Sequence, residues 1–198
     1  MKKFLILMAV ALMTVMGAKA QNGYADTRHE IGISIGWMST SQWLDAFEDV
    51  GFALAGTSFK DEKYIGPFSG EYFYRAKEWL GVGGIVALGM KTQDVYLGSS
   101  KSGDLTNLYI SLMPAVKLDW LRKEKFGMYS KIGVGGTMRA EEIDYDNNSG
   151  TDYSDTSFHL NWQLSLLGLE VGSPRIRVFG ELGFGEQGIA LFGVRTKF

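Results

Sequence analysis

The sequence predicts an all-β fold, namely a closed, antiparallel, up-and-down transmembrane β-barrel of about eight strands. Apolar side chains alternate with small or polar ones along successive segments, which indicates strands whose two faces meet different surroundings. The chain also begins with an export signal, although no later apolar run is long enough for a membrane helix. Finally, long and short connections alternate between the segments, as outer loops and periplasmic turns do in membrane barrels.

The first 20 residues predict a signal peptide. Two lysines precede an apolar stretch at residues 4–16, and Ala18-Lys19-Ala20 has the small-x-small pattern of a cleavage site. Cleavage after Ala20 makes Gln21 the first residue of the mature chain, so that residues 21–198 form one barrel domain. An uncleaved membrane anchor is the alternative, but the apolar stretch is short for a membrane span.

The composition excludes several classes of function. The 198 residues carry a formal net charge of −2 and no cysteine. This charge balance argues against a nucleic-acid partner. The lack of cysteine excludes disulfides, thiolate chemistry and a lipidated N-terminal cysteine. Glycine is frequent, with 26 residues, and its place within alternating segments suits curved and closely packed strands.

Eight segments are predicted as strands. In the first, Ile31, Ile33, Ile35 and Trp37 share one face, whereas glycine and serine occupy the other. This pattern indicates lipid on the outside and a lumen on the inside. Pro67 weakens the second strand locally. The segments are His29–Trp37, Tyr64–Tyr74, Trp79–Lys91, Leu105–Trp120, Phe126–Tyr145, Asp155–Val171, Ile176–Phe184 and Ala190–Phe198.

The last strand shows the alternation most clearly. Ala190, Phe192, Val194, Thr196 and Phe198 lie on one face, opposite leucine, glycine, arginine and lysine. The chain stops on an aromatic residue, which suits an interface anchor on the closing strand of a membrane barrel.

The connections predict the topology. An even number of strands places both termini on the periplasmic side and the long connections outside. The last hairpin, with its turn at residues 185–188, is the exception because its outer loop is short. The predicted long connections are 38–60, 92–104 and 146–154, and the short ones are 75–78, 121–125 and 172–175.

One short helix is predicted in the first outer loop, from Ser39 to Val50. Trp43, Leu44 and Phe47 share a face with Val50 at helical spacing, and the serines and threonine at its start suit an N-cap. We interpret this helix as a cap packed on the barrel rim. A ligand-gating or membrane-surface helix is the alternative.

Aromatic residues fall near both ends of the predicted strands, as in the two interface girdles of a membrane barrel. The inner girdle holds Trp79, Trp120, Phe126 and Phe198, and the outer girdle holds Trp37, Tyr64, Phe158 and Phe184.

Seven charged residues fall on predicted lumen faces. The interior of an eight-stranded barrel is filled by side chains, and charges buried there must pair. We interpret them as an ion-pair plug, with a proton or ion pathway as the alternative. The residues are Glu71, Lys117, Asp119, Lys131, Arg177, Glu181 and Arg195.

The closing hairpin resembles that of a known family. Residues 179–189, with glycine at 180, 183, 185 and 188, are followed by Gly193 and the terminal Phe198. This pattern resembles small outer-membrane β-barrel domains of the OmpA/OmpX-like fold, a porin-family type of outer-membrane protein. The topology fits essentially all of the mature chain. The resemblance implies the outer membrane of a Gram-negative bacterium as the location.

Gly193 and Phe198 resemble the C-terminal signal that the barrel assembly machinery reads. The resemblance therefore implies this machinery, periplasmic chaperones and outer-membrane lipid as partners. The chain departs from the pattern at Thr196, where an aromatic or apolar residue is usual.

Some barrels that resemble this fold are lipid A-modifying enzymes with a histidine and a serine or aspartate near the outer rim. His159 with Asp155 or Ser157 would correspond to them here, but the sequence shows no complete set of nucleophile, base and orienting residue. The acidic segment Asp144–Asp155 matches no ordered calcium-ligand pattern, so we interpret it as solvated charge. We expect no cofactor and no metal.

Three functions remain open, because barrels of one fold differ in function. The first is a structural or surface-interaction role, with an extracellular ligand at the outer loops as a further partner. The alternatives are a narrow porin-like channel for ions or small solutes and a lipid A-modifying enzyme.

Overall fold

The computed structural model describes residues 27–40, 57–97, 100–145 and 153–198. These residues form eight strands, each antiparallel to its neighbours in the chain, and the last strand pairs with the first to close a barrel. The predicted closed, all-β, antiparallel barrel is therefore confirmed. The strands are β1 His29–Trp37, β2 Thr57–Lys77, β3 Leu80–Leu97, β4 Ser100–Arg122, β5 Phe126–Tyr145, β6 Tyr153–Gly172, β7 Ile176–Gly185 and β8 Ala190–Lys197.

The barrel closes along the seam between β1 and β8. Their pairing runs from Glu30 opposite Lys197 to Trp37 opposite Ala190. Beyond it, the His29 N–H donates to the Phe198 carbonyl at 2.8 Å, and the Phe198 N–H donates to the His29 carbonyl at 2.9 Å. The closed seam leaves no unpaired strand edge at this level of the wall.

The barrel is apolar outside and charged inside. Outward side chains such as Ile33, Phe192 and Leu160 are 68%, 69% and 82% exposed. On β3 this apolar band extends from Met90 to Leu80. At the same level of the other described strands, no outward position holds Asp, Glu, Lys or Arg. Such a continuous apolar belt is unfavourable in water and suits a lipid environment.

The predicted outer loop at residues 92–104 is wrong. β3 continues to Leu97 and β4 begins at Ser100, with Asp94 opposite Asp104 in the ladder. Above the apolar band both faces of a strand meet water, so the alternation disappears while the backbone pairing continues. For the same reason the predicted connections 38–60 and 146–154 are too long, since β2 begins at Thr57 and β6 at Tyr153.

Tyr64 does not belong to the outer girdle, because β2 changes face beside Pro67. The pairing with β3 shifts between Ile65 and Phe68, which are both exposed on the outside. Tyr64 therefore turns inward, where its hydroxyl lies 3.3 Å from that of Ser39 and against Gly89. A bulge of this kind inverts the alternation from which the face was predicted.

Two sequence predictions fall largely on residues that the structure does not describe. The predicted signal peptide and its cleavage after Ala20 lie before Thr27, and the predicted rim helix, Ser39–Val50, lies beyond residue 40 except for its first two residues. Both remain predictions. Among the residues that are described, no helix has the length and apolar character needed to cross a membrane.

The wall of the barrel has two very different heights. β2 to β6 are 18 to 23 residues long, whereas β1, β7 and β8 are 8 to 10. In the described ladders, residues 57–67 of β2 pair with β3 alone and residues 153–162 of β6 pair with β5 alone. Among the described residues, the outer parts of β2 to β6 thus form a projecting sheet with two edges that have no neighbouring strand, each roughly 30 Å long at about 3.3 Å per residue.

Candidate functional site

Charged side chains fill the inner half of the lumen. They come from seven of the eight strands, and we call them the inner network. Six cations and five carboxylates take part, and every one of these carboxylates lies within 4.0 Å of a cation. The inner network consists of Glu30, Glu71, Arg75, Lys117, Asp119, Tyr129, Lys131, Glu170, Arg177, Glu181, Arg195 and Lys197.

Arg195 is the centre of the inner network and is fully buried. Its Nη1 lies 2.8 Å from Glu170 Oε2, and its Nη2 donates to Glu71 Oε1. The guanidinium also stacks on aromatic rings, at 4.8 Å from the Tyr129 centroid and 4.3 Å from that of Phe179. One planar cation thus joins strands β2, β5, β6 and β7 to β8, a geometry that lysine would not reproduce.

Lys131 and Glu181 form the second part of the network. Lys131 Nζ lies 2.7 Å from Glu71 Oε2 and 2.9 Å from Glu181 Oε1. Glu181 also accepts hydrogen bonds from the Tyr129 hydroxyl, at 2.7 Å, and from Ser165. Several donors therefore share each carboxylate, which is what a buried anion needs to remain charged.

Glu30 and Glu170 hold the innermost end together. Lys117 Nζ lies 2.6 Å from Glu30 Oε2, and Arg177 Nη1 lies 2.8 Å from Glu170 Oε1. Lys197 contacts both carboxylates. The Nη2 atom of Arg177 donates at 2.8 Å to the carbonyls of Lys123 and Glu124, so the network also fixes the turn between β4 and β5.

A second polar layer closes the outer half of the lumen, where the β7–β8 turn folds inward. Glu186 and Gln187 are buried. Glu186 accepts hydrogen bonds from Ser111 Oγ at 3.0 Å and from Asn161 Nδ2 at 2.6 Å. The Gln187 N–H donates to the side chain of Gln163 at 2.7 Å. We call this turn and its partners the outer plug.

Glycines make room for the outer plug. Gly185 and Gly188 have φ angles of +134° and +102°, which side-chain-bearing residues rarely adopt. On β1, a Cβ at Gly36 would lie 1.8 Å from the Gln187 carbonyl oxygen. The turn can therefore lie inside the wall only because position 36 has no side chain.

The structure places all seven predicted lumen charges in the inner network. Asp119 lies at its edge, with Oδ1 3.4 Å from Lys117 Nζ. Sequence reasoning missed Glu30, Arg75, Tyr129, Glu170, Lys197 and, in the outer plug, Glu186.

Glu170 was missed for a physical reason. The register shifts between Ser165 and Leu167, so strict alternation along β6 would put Glu170 toward lipid, whereas the bulge turns it inward. Two features of the sequence could have indicated the bulge. Leu166 and Leu167 are adjacent apolar residues that interrupt the alternation, and a glutamate at position 170 would be costly in lipid. Glu186 was missed because a turn has no predictable face.

The residues of the enzymatic alternative, His159 with Asp155 or Ser157, are not joined in the structure. Asp155 and Ser157 are exposed, His159 is half-buried, and no hydrogen bond joins the three. Across the described strands and turns, no cluster of three His, Asp or Glu side chains could hold a metal ion. Most of the acidic segment 144–155 lies outside the described residues.

The C-terminal residue packs at the inner end of the seam. The Phe198 ring is exposed on the outer face and stacks on the His29 ring, with centroids 5.5 Å apart and an interplanar angle of 15°. Gly193 lies against β1, where a Cβ would come within 2.3 Å of the Ile33 carbonyl oxygen. Their role as an assembly signal remains a prediction.

Deleting Phe198 should slow assembly of the barrel. The deletion removes the ring stacked on His29, two backbone hydrogen bonds of the closing seam and the residue that the assembly signal implies. Pulse-labelled cells should accumulate the folded, heat-modifiable form several times more slowly. Thr196→Tyr is the matched control and should be neutral or helpful. Normal assembly and abundance of the shortened chain would contradict the prediction.

Comparisons with known proteins were made on this sequence and fold. No protein-family model matches, and no curated protein matches. Among solved structures, two of Ail, the attachment invasion locus protein of Yersinia pestis, are similar at 15% identity, each covering 86% of this chain. One is in complex with the heparin analogue sucrose octasulfate, with 95% of its chain covered and a TM-score of 0.42. The other has 93% covered and a TM-score of 0.43. The strand count, order and closure described above are those of small OmpA/OmpX-like barrels.

Proposed function

We propose that this protein is an integral outer-membrane barrel with a plugged lumen and a structural or surface-interaction role at its outer end. The observation that carries the proposal is the inverted distribution of polarity. The outer face presents an uncharged apolar belt, whereas Glu71, Lys131 and Arg195 are buried inside and paired. Only a barrel surrounded by lipid gains from this arrangement. Export through the predicted signal peptide and insertion by the barrel assembly machinery belong to the same proposal.

The plugged lumen is supported by two polar layers in series. The inner network crosses the barrel at the level of Arg195, and the outer plug crosses it at Glu186. The interior of an eight-stranded barrel leaves little space beyond its own side chains. A solute would have to break several buried ion pairs to pass, each of which costs a few kcal/mol.

Planar-bilayer recording tests the plugged lumen. We expect silent membranes from purified protein whose insertion has been verified by the heat-modifiability of its gel band. Stable and reproducible single-channel conductance would contradict the plug and favour the narrow pore.

The projecting sheet supports a role in surface interactions. Along its two edges, at residues 57–67 and 153–161, the described strands pair with a neighbouring strand on one side only, and such an edge is where a partner can add a strand. Residues 154–157 are exposed on both faces, so this part of β6 lies above the apolar belt. A barrel that served only as an anchor would not need strands of this length.

The ligand of Ail in one of the similar structures does not transfer to this chain. Sucrose octasulfate is a polyanion. Here the outer segment 139–157 contains six acidic residues and one arginine, so a sulfated sugar would meet like charge. The proposed extracellular partner is therefore neutral or basic at this segment.

Protease treatment of intact cells tests the proposed topology. We expect cleavage in residues 146–154, which connect two projecting strands, and none in the turn at 172–175. The turn lies at the end of the barrel where both described termini meet, which we propose to be periplasmic. Permeabilised cells are the control for access to the turn. Cleavage at 172–175 in intact cells would reverse the topology.

A further inference from the structure

Two serine side chains face each other on the lumen side of β1 and β2. Ser34 and Ser69 lie directly opposite in the ladder, and both are buried. Within the described part of the chain, neither Oγ atom has a hydrogen-bond partner, and the two hydroxyls do not bond each other. A buried hydroxyl without a partner costs free energy, and native proteins keep few of them. Two such groups side by side therefore indicate a shared partner that is not a protein side chain.

The neighbouring wall offers these hydroxyls no polar side chain. In the same row of the ladder, Gly193 of β8 lies opposite Ser34, and Ala87 of β3 lies opposite Ser69. Toward the outer end of β1, the next residue on the lumen face after Ser34 is Gly36. Glycine and alanine have no polar side-chain atom with which to reach a hydroxyl. The partner of the two serines must therefore lie in the lumen itself.

The serine pair lies between the two polar layers of the lumen. Two residues beyond Ser69 on β2 is Glu71 of the inner network. On the other side, Gly36 is two residues beyond Ser34, and the backbone of Gln187 in the outer plug lies against it. Gln187 is fully buried, and within the described residues neither amide atom of its side chain has a partner. Two residues of a strand span about 6.7 Å, which a glutamine side chain and one hydrogen bond can cover, so the amide can share a partner with the serines.

The charges of the two layers indicate a neutral partner. Among the described residues, the inner network has six cations and five carboxylates, and Glu186 of the outer plug is a sixth carboxylate. The two layers are therefore balanced, and an additional ion between them would be buried without a counter-charge. The unpartnered atoms comprise two hydroxyls, one amide donor and one amide acceptor, so the partner must both donate and accept hydrogen bonds. Water is the smallest molecule that does so.

We propose that a buried water molecule binds between the two layers, held by the hydroxyls of Ser34 and Ser69 and by the side-chain amide of Gln187. The site rests on the plugged lumen proposed above and identifies what joins its two layers on the β1 side. Directly opposite residues have Cβ atoms about 4.5–5.5 Å apart, so one water can bridge the two hydroxyls with hydrogen bonds of about 2.8 Å. The amide supplies a third hydrogen bond, and internal waters make about three.

A crystal structure of the barrel at a resolution that shows ordered water tests the site directly. We expect one peak of electron density within hydrogen-bond distance of Ser34 Oγ, Ser69 Oγ and the Gln187 amide. Direct hydrogen bonds among the three side chains, with no peak between them, would overturn the proposal.

Urea titrations of single variants test whether the water stabilises the barrel. Ser34→Ala, Ser69→Ala and Gln187→Leu each remove one partner of the water, so each variant should unfold at a lower urea concentration than the wild type. In a dry lumen the same replacements would remove an unpartnered polar group and raise the unfolding midpoint, which would overturn the proposal. Ser154→Ala is the matched control, because Ser154 is exposed on β6, and it should leave the midpoint unchanged.

The double variant Ser69→Ala/Gln187→Leu tests whether the two groups share the water. Its shift in midpoint should be smaller than the sum of the single shifts, because the second replacement acts on a water that has already lost a partner. Additive shifts would overturn the shared site. A barrel that conducts in planar bilayers contradicts the plugged lumen, and the water site with it, whereas a silent barrel without a bound water overturns the site alone.

Discussion

Replacing Arg195 by methionine should lower the free energy of unfolding by about 3–5 kcal/mol, the range for removing one partner of a buried ion pair. Methionine keeps much of the length but leaves Glu71 and Glu170 short of a donor in a fully buried place. The loss should be read from urea titrations of the barrel in detergent, followed by tryptophan fluorescence. Arg175→Met is the matched control, since that side chain is exposed, and it should change the value by less than about 0.5 kcal/mol.

Glu181→Ala should also lower the free energy of unfolding. Lys131, Tyr129 and Ser165 would lose a shared acceptor, and Lys131 would keep only Glu71. Because Arg195 lies 3.8 Å from Glu181 and both bond the Tyr129 hydroxyl, the two losses should not add in the double variant. Additive losses would mean that the two residues act independently, and an Arg195→Met barrel as stable as the wild type would mean that the inner network contributes little to stability.

The sequence allowed the fold to be predicted because lipid and lumen impose opposite demands on alternate residues. β1 and β5 were predicted with the observed bounds, since the outward positions of their membrane-facing parts, such as Ile33 and Val134, are apolar or small. The predicted strand ends were wrong above the apolar belt, where lipid no longer contacts the outer face. Residues 92–97 and 100–104 continue as strands in the projecting sheet, although both faces there are polar.

Single extra residues explain the other failures. The bulge near Pro67 turned Tyr64 inward, and the bulge near Leu167 brought Glu170 into the lumen. Neither changes the composition of its strand, and each inverts the face of every residue beyond it. The candidate site was therefore predictable as a set of lumen charges, whereas its pairing was not. Which carboxylate reaches Arg195 depends on the stagger of β2, β6 and β8, which no local pattern encodes.

Gly83→Ala should destabilise the barrel by an amount at the upper end of the roughly 1–3 kcal/mol typical of overpacking. Gly83 lies on the inner face of β3, where a Cβ would lie 1.8 Å from the Tyr72 carbonyl oxygen and 2.8 Å from the Phe73 Cα. Both atoms belong to the backbone of β2, so relief requires the two strands to separate rather than a side chain to move. The glycine therefore sets how closely the wall can curve at this point.

Gly70→Ala is the matched control on the neighbouring strand. No atom lies within 4 Å of a Cβ at position 70, and its φ is not positive, so the added methyl group meets neither a clash nor backbone strain. It also reduces the freedom of the unfolded chain, and we expect stability to be unchanged or slightly higher. Urea titrations of both variants under the same conditions check the pair. If the Gly83→Ala and Gly70→Ala variants were equally stable, β2 and β3 would accept a Cβ at position 83 without loss. The close approach of these strands would then not depend on glycine there.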